Sequence, residues 1–325
     1  MNVLVFLEWP EKCFRANADD LRYLRSLLPG RATVVRARTE RAFLAALPLA
    51  THVITWHFRA EWYALAPKLE LVATPAAGRE LVSPPPSVSR PGRPVPRVHF
   101  GGFHGRIISE TVLAFVLAYA HGFFTAKPLW PRSIRAEDVI DVAGTRAVIA
   151  GYGRIGRAIG ERLAAFGVSV RGLTHGECDM LRASCVRRPA LRELRSALRS
   201  ADWFILALPS DTGTDDFLDA EMISRLSEKC VVVNIGRGNA IDEKALLAAL
   251  RDGRIAAAYL DVFRHEPTVL ANGSVRLSRA ERGYDLAGMS AAKSPRNLIR
   301  TPHGSAFSPG YVKSAFKELK DEGFF

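Results

Sequence analysis

Gly151-Tyr-Gly-Arg-Ile-Gly156 stands between a short apolar run, Arg146–Ala150, and a stretch with helical spacing, Arg157–Phe166; a second apolar run, Val168–Leu173, follows. Glycines at this spacing are weak evidence alone. Between a strand and a helix, with a returning strand behind, they mark a dinucleotide-type strand–turn–helix–strand unit. Gly151 permits the tight turn, Gly153 lets backbone approach a pyrophosphate, and Gly156 lets helix and strand pack closely. The unpaired N–H groups of the first turn, with Arg154 and Ile155, then face the phosphates. The competing reading is a glycine-rich turn in an α/β domain that binds no nucleotide.

The alternation of strand and helix extends well beyond this unit. Val3–Leu7, Ala32–Ala37, His52–Trp56 and Leu69–Thr74 read as strands. Ala18–Leu28, stopped by Pro29-Gly30, and Thr39–Leu47, capped by Thr39, read as helices. Such a βαβ rhythm implies parallel sheets with helices on both faces. Ser83–Pro96 holds six prolines, too many for a helix or a central strand, and reads as an extended loop. Ser109–Phe124 follows as a long apolar helix, Lys127–Asp138 as a polar arm containing Trp130, and Ser308–Phe325 as a final helix. A chain of 325 residues suits two domains better than one core.

Composition excludes several classes. No apolar run approaches the roughly 18–20 residues of a membrane span. Met1–Trp9 reads as a first strand, not a signal peptide, so a cytoplasmic protein is expected. Cys13, Cys178, Cys185 and Cys230 lack metal-type spacing, so reduced thiols and no metal are expected. The net charge of +12 is spread along the chain, with local clusters at Arg182–Arg199 and Arg276–Arg282 that lack interleaved aromatics or a DNA-reading motif. An arginine-rich composition explains it more plainly than nucleic-acid binding, and the positive field suits anionic small molecules.

Three residues carry chemistry: Arg237 in Asn234-Ile-Gly-Arg-Gly238, Glu266 in His265-Glu-Pro267 and His303 in Thr301-Pro-His-Gly304. Each follows an apolar run, respectively Cys230–Ile235, Ala256–Val262 and Asn297–Arg300. Ligands of open parallel sheets sit outside the carboxyl ends of strands, so these residues converge on one crevice. A guanidinium, a carboxylate and an imidazole there suit proton transfer to a substrate bearing its own carboxylate. Any one of them alone reads as well as a surface charge or a capped strand end.

An acid about 20 residues beyond the glycine turn selects NAD by binding the ribose 2′-OH. Here that place reads Leu173-Thr-His-Gly176, with Arg171 nearby and the first acid at Glu177. Thr174 and His175 do not repel a 2′-phosphate. NAD or NADP is therefore expected, with NADP favoured unless Glu177 or Asp179 folds back.

Further motifs follow in order: Ala207-Leu-Pro209 with Thr214, the arginine motif with Ile241-Asp242-Glu243, Asp261-Val262, Glu266-Pro267 and Thr301–His303. Together they resemble the D-isomer-specific 2-hydroxyacid dehydrogenase family, which includes glyoxylate and hydroxypyruvate reductases. The resemblance is strong over Leu113–Ser308 and looser over the first hundred residues. It implies an α/β fold of two doubly wound parallel-sheet domains. A Rossmann cofactor domain (105–304) would be inserted in a flavodoxin-like substrate domain (1–104 plus 305–325). It implies Arg237 as substrate clamp, His303 as acid and base, and Glu266 as the imidazole's partner. Leu208, Pro209, Thr214, Ile235, Gly236 and Asp261 would lie at the cofactor, Asp261 near the nicotinamide. Ala76, Ala77 and Gly78, in Thr74-Pro-Ala-Ala-Gly-Arg79, would offer N–H groups to the substrate carboxylate.

The implied protein is a homodimer acting on a small 2-oxo or D-2-hydroxy acid, with the Ser109–Phe124 helix and the Trp130 arm as dimerisation region. Arg79-Glu80 and an apparent insertion at Thr268–Ala291 depart from the family pattern. Trp56 and His57 either line the cleft or form, respectively, a packed aromatic and a solvated imidazole. Two rivals share the architecture. A formate dehydrogenase pairs its histidine with glutamine, against which Glu266 argues; a nucleotide-sensing co-repressor-like scaffold does not need the Arg–Glu–His set.

Overall fold

The computed structural model describes residues 1–79, 81–86, 94–124, 136–174, 184–187, 191–211, 213–266, 268–269, 275–276, 290 and 293–325. They divide into two compact units. One comprises Met1–His104, Val269–Ser274 and Phe307–Phe325, the other Gly105–Thr268 and Val275–Ala306.

The first unit is built on strands β1 (Asn2–Phe6), β2 (Thr33–Arg36), β3 (His52–Thr55), β4 (Leu71–Thr74) and β5 (Arg97–Phe100). All pair in parallel, in the order β2-β1-β3-β4-β5, which is the flavodoxin-like order. Its helices begin on capping side chains. Asn17 accepts from the N–H groups of Asp19 and Asp20 while Asp20 returns a bond to the Asn17 N–H, and Thr39 accepts from the Ala42 N–H at 3.2 Å. The last helix is Tyr311–Asp321, within the expected Ser308–Phe325. It is fastened by Glu318, which accepts the Gly102 N–H at 2.8 and 3.0 Å, and by Tyr311, whose hydroxyl lies 2.7 Å from His104 Nε2.

The second unit is built on β6 (Arg146–Ala150), β7 (Ser169–Thr174), β8 (Ser184–Arg187), β9 (Trp203–Leu206), β10 (Val231–Asn234), β11 (Ala257–Leu260) and β12 (Leu298–Arg300). These are parallel, in the order β12-β11-β10-β9-β6-β7-β8. Successive side chains point to opposite faces of a strand. Accordingly Val148, Phe204, Leu206, Val232 and Ala258 enter one core with Leu246 and Leu250. Their neighbours Ala147, Ile149, Trp203, Ile205, Val231 and Tyr259 enter another with Phe115 and Ile159. Burial on both faces explains why these strands read as unbroken apolar runs. The chain leaves β6 in one direction through β7 and β8, then returns on the other side to β9. Such a reversal opens a crevice at the carboxyl ends of the two central strands.

The expected fold, two doubly wound parallel sheets, is therefore observed. Some boundaries move. The long helix is His104–Ala120, starting ahead of Ser109, and the helix after the glycine turn starts at Arg154 on Gly153. β5 emerges directly from the proline-rich loop. Of the arm at Lys127–Asp138 only the turn Ala136–Asp138 is described, and Trp130 lies outside the described residues. Within Thr268–Ala291 the described pieces are the two-residue strands Thr268–Val269 and Val275–Arg276, and Ser290. No helix among the described residues is long and apolar enough to cross a membrane.

Candidate active site

The glycine turn follows β6. Gly151 has φ +91°, a conformation side chains rarely adopt, and a Cβ there would lie 2.4 Å from the Ala207 carbonyl oxygen. A Cβ on Gly156 would lie 2.3 Å from the Gly151 carbonyl oxygen. Both glycines are demanded by the protein's own packing. Gly153 is different: its φ is −85°, and a Cβ would meet nothing within 4 Å. That open space, in front of the first turn of the helix Arg154–Ala165, fits a pyrophosphate bound by backbone N–H groups. Arg154 and Ile155 form that first turn.

Two more loops meet the turn from the neighbouring strands. Leu208 and Pro209 follow β9, and a Cβ on Gly236, after β10, would lie 2.6 Å from the Leu208 nitrogen. Ile235 donates its N–H to the Leu206 carbonyl at 3.1 Å. Thr214 is buried, and its hydroxyl lies 2.8 Å from the Pro209 carbonyl and 2.9 Å from that of Asp211, closing its own loop. Thr174, half-buried, ends β7 with Arg187 opposite it in register. Arg171 sits an odd number of residues back along β7 and so belongs to the other face. His175, Glu177 and Asp179 lie outside the described residues.

Arg237, Glu266 and His303 follow β10, β11 and β12, three adjacent strands, and the sheet brings them to one edge of the crevice. Asn234 folds the arginine loop: its amide donates to the Arg237 carbonyl at 3.0 Å and its side-chain oxygen accepts the Gly236 N–H at 3.1 Å. Gly238 packs so closely on the next loop that a Cβ would fall 1.8 Å from the Phe263 carbonyl carbon. Arg264 ties the same loops, donating to the carbonyls of Asn239 at 3.0 Å and Ile241 at 3.2 Å and pairing with Asp216. Its own N–H goes to buried Glu243 at 2.8 Å. Sequence reasoning did not single out Asn234, Glu243 or Arg264 for these roles; Asn234, the one polar residue ending a run of valines, was the available signal.

His303 Nδ1 lies 2.8 Å from Glu266 Oε2, and Glu266 Oε1 accepts the Phe263 N–H at 3.1 Å. The histidine backbone is left-handed, φ +51°, and its N–H reaches the Thr301 carbonyl at 3.0 Å. Its side chain is 50% exposed. Loss of solvent is the largest influence on the imidazole and pulls its pKa down. The hydrogen bond and charge of Glu266, with the charge of Asp261, outweigh that loss against the opposing Arg237, so the pKa is raised above its ordinary value. Asp261 is fully buried and accepts from Thr301, Gly304 and Ser305.

The segment Thr74–Arg79 belongs to the other unit and follows β4. The Ala76 N–H is turned inward to Thr74 Oγ1 at 3.2 Å, while those of Ala77 and Gly78 meet no acceptor among the described residues. Arg79 is exposed, its guanidinium 5.5 Å from the centre of the Phe100 ring. Trp56 is a packed aromatic, 6% exposed, donating to the Phe14 carbonyl at 3.2 Å. Burial holds the pKa of His57 below its ordinary value, helped by Arg59 and opposed by Glu40. His99, Glu318 and Glu322 are the one group of possible metal-ligating side chains that lie together among the described residues. Both ring nitrogens of His99 face carboxylates of the last helix and its end, at 3.3 and 3.2 Å.

Residues 118–304 match the family described as D-isomer specific 2-hydroxyacid dehydrogenase, NAD binding domain. The chain is 35% identical over 127 residues to a glyoxylate reductase of Thermococcus kodakarensis, covering 39% of this chain and 38% of that one. It is 34% identical over 166 residues to glyoxylate/hydroxypyruvate reductase B of Salmonella paratyphi B, covering 49% and 51%. The chain thus spans about half or less of the length of these two curated relatives. Among solved structures, a D-isomer specific 2-hydroxyacid dehydrogenase from Xanthobacter autotrophicus Py2, in complex with NADPH and MES, superposes with a TM-score of 0.71 at 24% identity, over 99% of this chain and 95% of that one. A counterpart from Aeromonas salmonicida gives 0.72 at 24% identity, over 99% and 96%.

Proposed function

The chain belongs to the D-isomer specific 2-hydroxyacid dehydrogenase family, and we propose that it is an NAD(P)-dependent reductase of small 2-oxo acids. The observation that carries this reading is the 2.8 Å contact of His303 Nδ1 with Glu266 Oε2, at the strand end next to Arg237. A bound reduced nicotinamide supplies a hydride to C2 of the oxo acid. Arg237 holds the carboxylate and oxo group, since a planar guanidinium forks onto such oxygens. Glu266 occupies Nδ1, which leaves Nε2 as the atom that exchanges a proton with substrate. The imidazolium gives that proton to the carbonyl oxygen as the alcohol forms, and neutral Nε2 takes it back in the oxidative direction. The N–H groups of Ala77 and Gly78 are assigned to a substrate carboxylate oxygen.

Relatives named for glyoxylate, hydroxypyruvate and 2-ketogluconate define the substrate class to try first. NADP is the favoured cofactor, because the end of β7 carries Thr174 where an acid would repel a 2′-phosphate. The protein is further proposed to be a homodimer, formed through the helix His104–Ala120 and the exposed Phe123 and Phe124 beyond it. Sedimentation at micromolar concentration checks that assignment, and a monomer overturns it.

Steady-state reduction of the three oxo acids with NADPH and with NADH tests the function. Saturable turnover of at least one acid is expected. Tight cofactor binding without turnover of any oxo acid would favour the nucleotide-sensing scaffold, and oxidation of formate would favour the other rival.

A further inference from the structure

We propose that His99, Glu318 and Glu322 form a binding site for a divalent transition-metal ion of the zinc class, which ties the end of the last helix to β5. The site stands apart from the reductase reading. His99 lies within β5, in the same compact unit as both glutamates. Glu318 and Glu322 are one turn apart, on the helix Tyr311–Asp321 and at its C-cap, so both carboxylates fall on one side of it. One ring nitrogen of His99 and one oxygen from each glutamate all lie within 4.8 Å of one another.

The buried imidazole calls for a cation. His99 is 7% exposed, and its Nε2 and Nδ1 stand 3.3 Å from Glu318 Oε2 and 3.2 Å from Glu322 Oε2. A neutral imidazole carries one N–H and can satisfy only one of these carboxylates. At the other nitrogen a lone pair faces a carboxylate oxygen unless a cation comes between them. A second proton is one answer, but charge-assisted contacts close to about 2.7–2.9 Å. His303 and Glu266 do so, at 2.8 Å, whereas both His99 contacts are longer. Two ligands bound to zinc at about 2.0–2.1 Å in a tetrahedron stand about 3.3–3.4 Å apart. The spacing around this ring is thus nearer to that of metal ligands than to that of an ion pair.

The surroundings fit the same ion. Both Glu318 oxygens accept the Gly102 N–H, at 2.8 and 3.0 Å, the kind of bond that orients ligating carboxylates. Glu322 sits at a helix C-terminus, where the backbone adds partial negative charge to its own. Its side chain is 33% exposed, which gives an ion its entry. One imidazole with two carboxylates suits zinc, cobalt(II) or manganese(II) better than magnesium, which takes oxygen ligands and keeps its waters. The role is structural. At its other end the same helix places the Tyr311 hydroxyl 3.4 Å from the Pro75 carbonyl, in the Thr74–Arg79 loop.

The full chain, stripped with EDTA and exchanged into metal-free buffer, is titrated with zinc chloride. One equivalent should bind with micromolar or tighter Kd and raise the Tm, as any ligand of the folded state does. Magnesium chloride should do neither. Glu322→Gln keeps the side-chain size and removes one anionic ligand. Its zinc Kd should rise by at least about tenfold, the least that disturbing a metal's ligand shell costs, and the zinc-dependent rise in Tm should vanish. His99→Gln should behave alike. Cobalt(II) identifies the ligands: visible bands of a four-coordinate site are expected, without the near-ultraviolet thiolate band that Cys13 or Cys230 would give. Zinc binding that survives Glu322→Gln unchanged, a thiolate band, or no zinc binding by the native chain at submillimolar metal would each overturn the proposal. If His99→Gln fails to fold, the Glu322→Gln comparison decides alone.

Discussion

Glu266 meets His303 with one oxygen, at 2.8 Å, and its own main chain with the other, through the Phe263 N–H at 3.1 Å. The carboxylate is therefore fixed before it fixes the imidazole. His303→Ala should lower kcat for oxo-acid reduction by about 10²–10⁴-fold, the usual worth of general acid–base catalysis. Cofactor affinity should stay as it is. Stopped-flow and steady-state kinetics check both, and an unchanged kcat would remove His303 from the chemistry.

The pH dependence has a defined sign. The folded pKa of His303 is raised above the ordinary imidazole value. Stabilisation from its charged form is therefore present at low pH and lost as pH rises through the folded pKa. Reduction uses the imidazolium, so kcat/KM should fall with increasing pH through a midpoint above about 6.5. The oxidative direction should rise over the same interval. Glu266→Gln removes the charge that raises the pKa and should move both limbs to lower pH.

Arg237→Lys tests the clamp. An ammonium is a point donor and cannot make the planar fork. Substrate KM should rise by about tenfold or more, the scale of a lost charge-assisted hydrogen bond. The His303 titration should change little, since a positive charge remains. Unmoved KM and kcat would place the carboxylate receptor elsewhere.

Cofactor choice should follow the end of β7. The ratio of kcat/KM for NADPH to that for NADH is expected to be at least one. Thr174→Asp should shift preference towards NADH, because two anions at hydrogen-bonding distance repel. A strong native preference for NADH would show that an acid reaches the ribose.

Much of this was legible because buried parallel strands announce themselves. Val231–Val233 and Ala257–Leu260 are apolar throughout and lie where the sequence pattern places strands. β5 was hidden: Arg-Val-His-Phe alternates, as suits an edge strand, and Pro94 and Pro96 precede it. The sequence pattern starts the long helix at Ser109, whereas it begins at His104. Ser109 is instead inside the helix, its hydroxyl bonded back to the carbonyls of Gly105 and Arg106, the habit of a mid-helix serine. The Arg–Glu–His set was legible because short motifs carry it. The bonds of Asp261 join residues some 40 positions apart, and no local pattern encodes them.

Gly153 stands apart from the other glycines of this crevice. Its backbone angle is one that any residue adopts, and the space where a side chain would begin is empty. Folding alone gives no reason to keep glycine there. Gly153→Ala should melt at the native temperature, or slightly above it, since alanine restricts the unfolded chain. The same change should abolish or severely weaken nucleotide binding, read by titration calorimetry. A screen scored on thermal stability would pass this variant as an improvement. Gly153 is thus a residue whose tenant is chosen by the guest and not by the house, and its loss is visible only to an assay that supplies the guest.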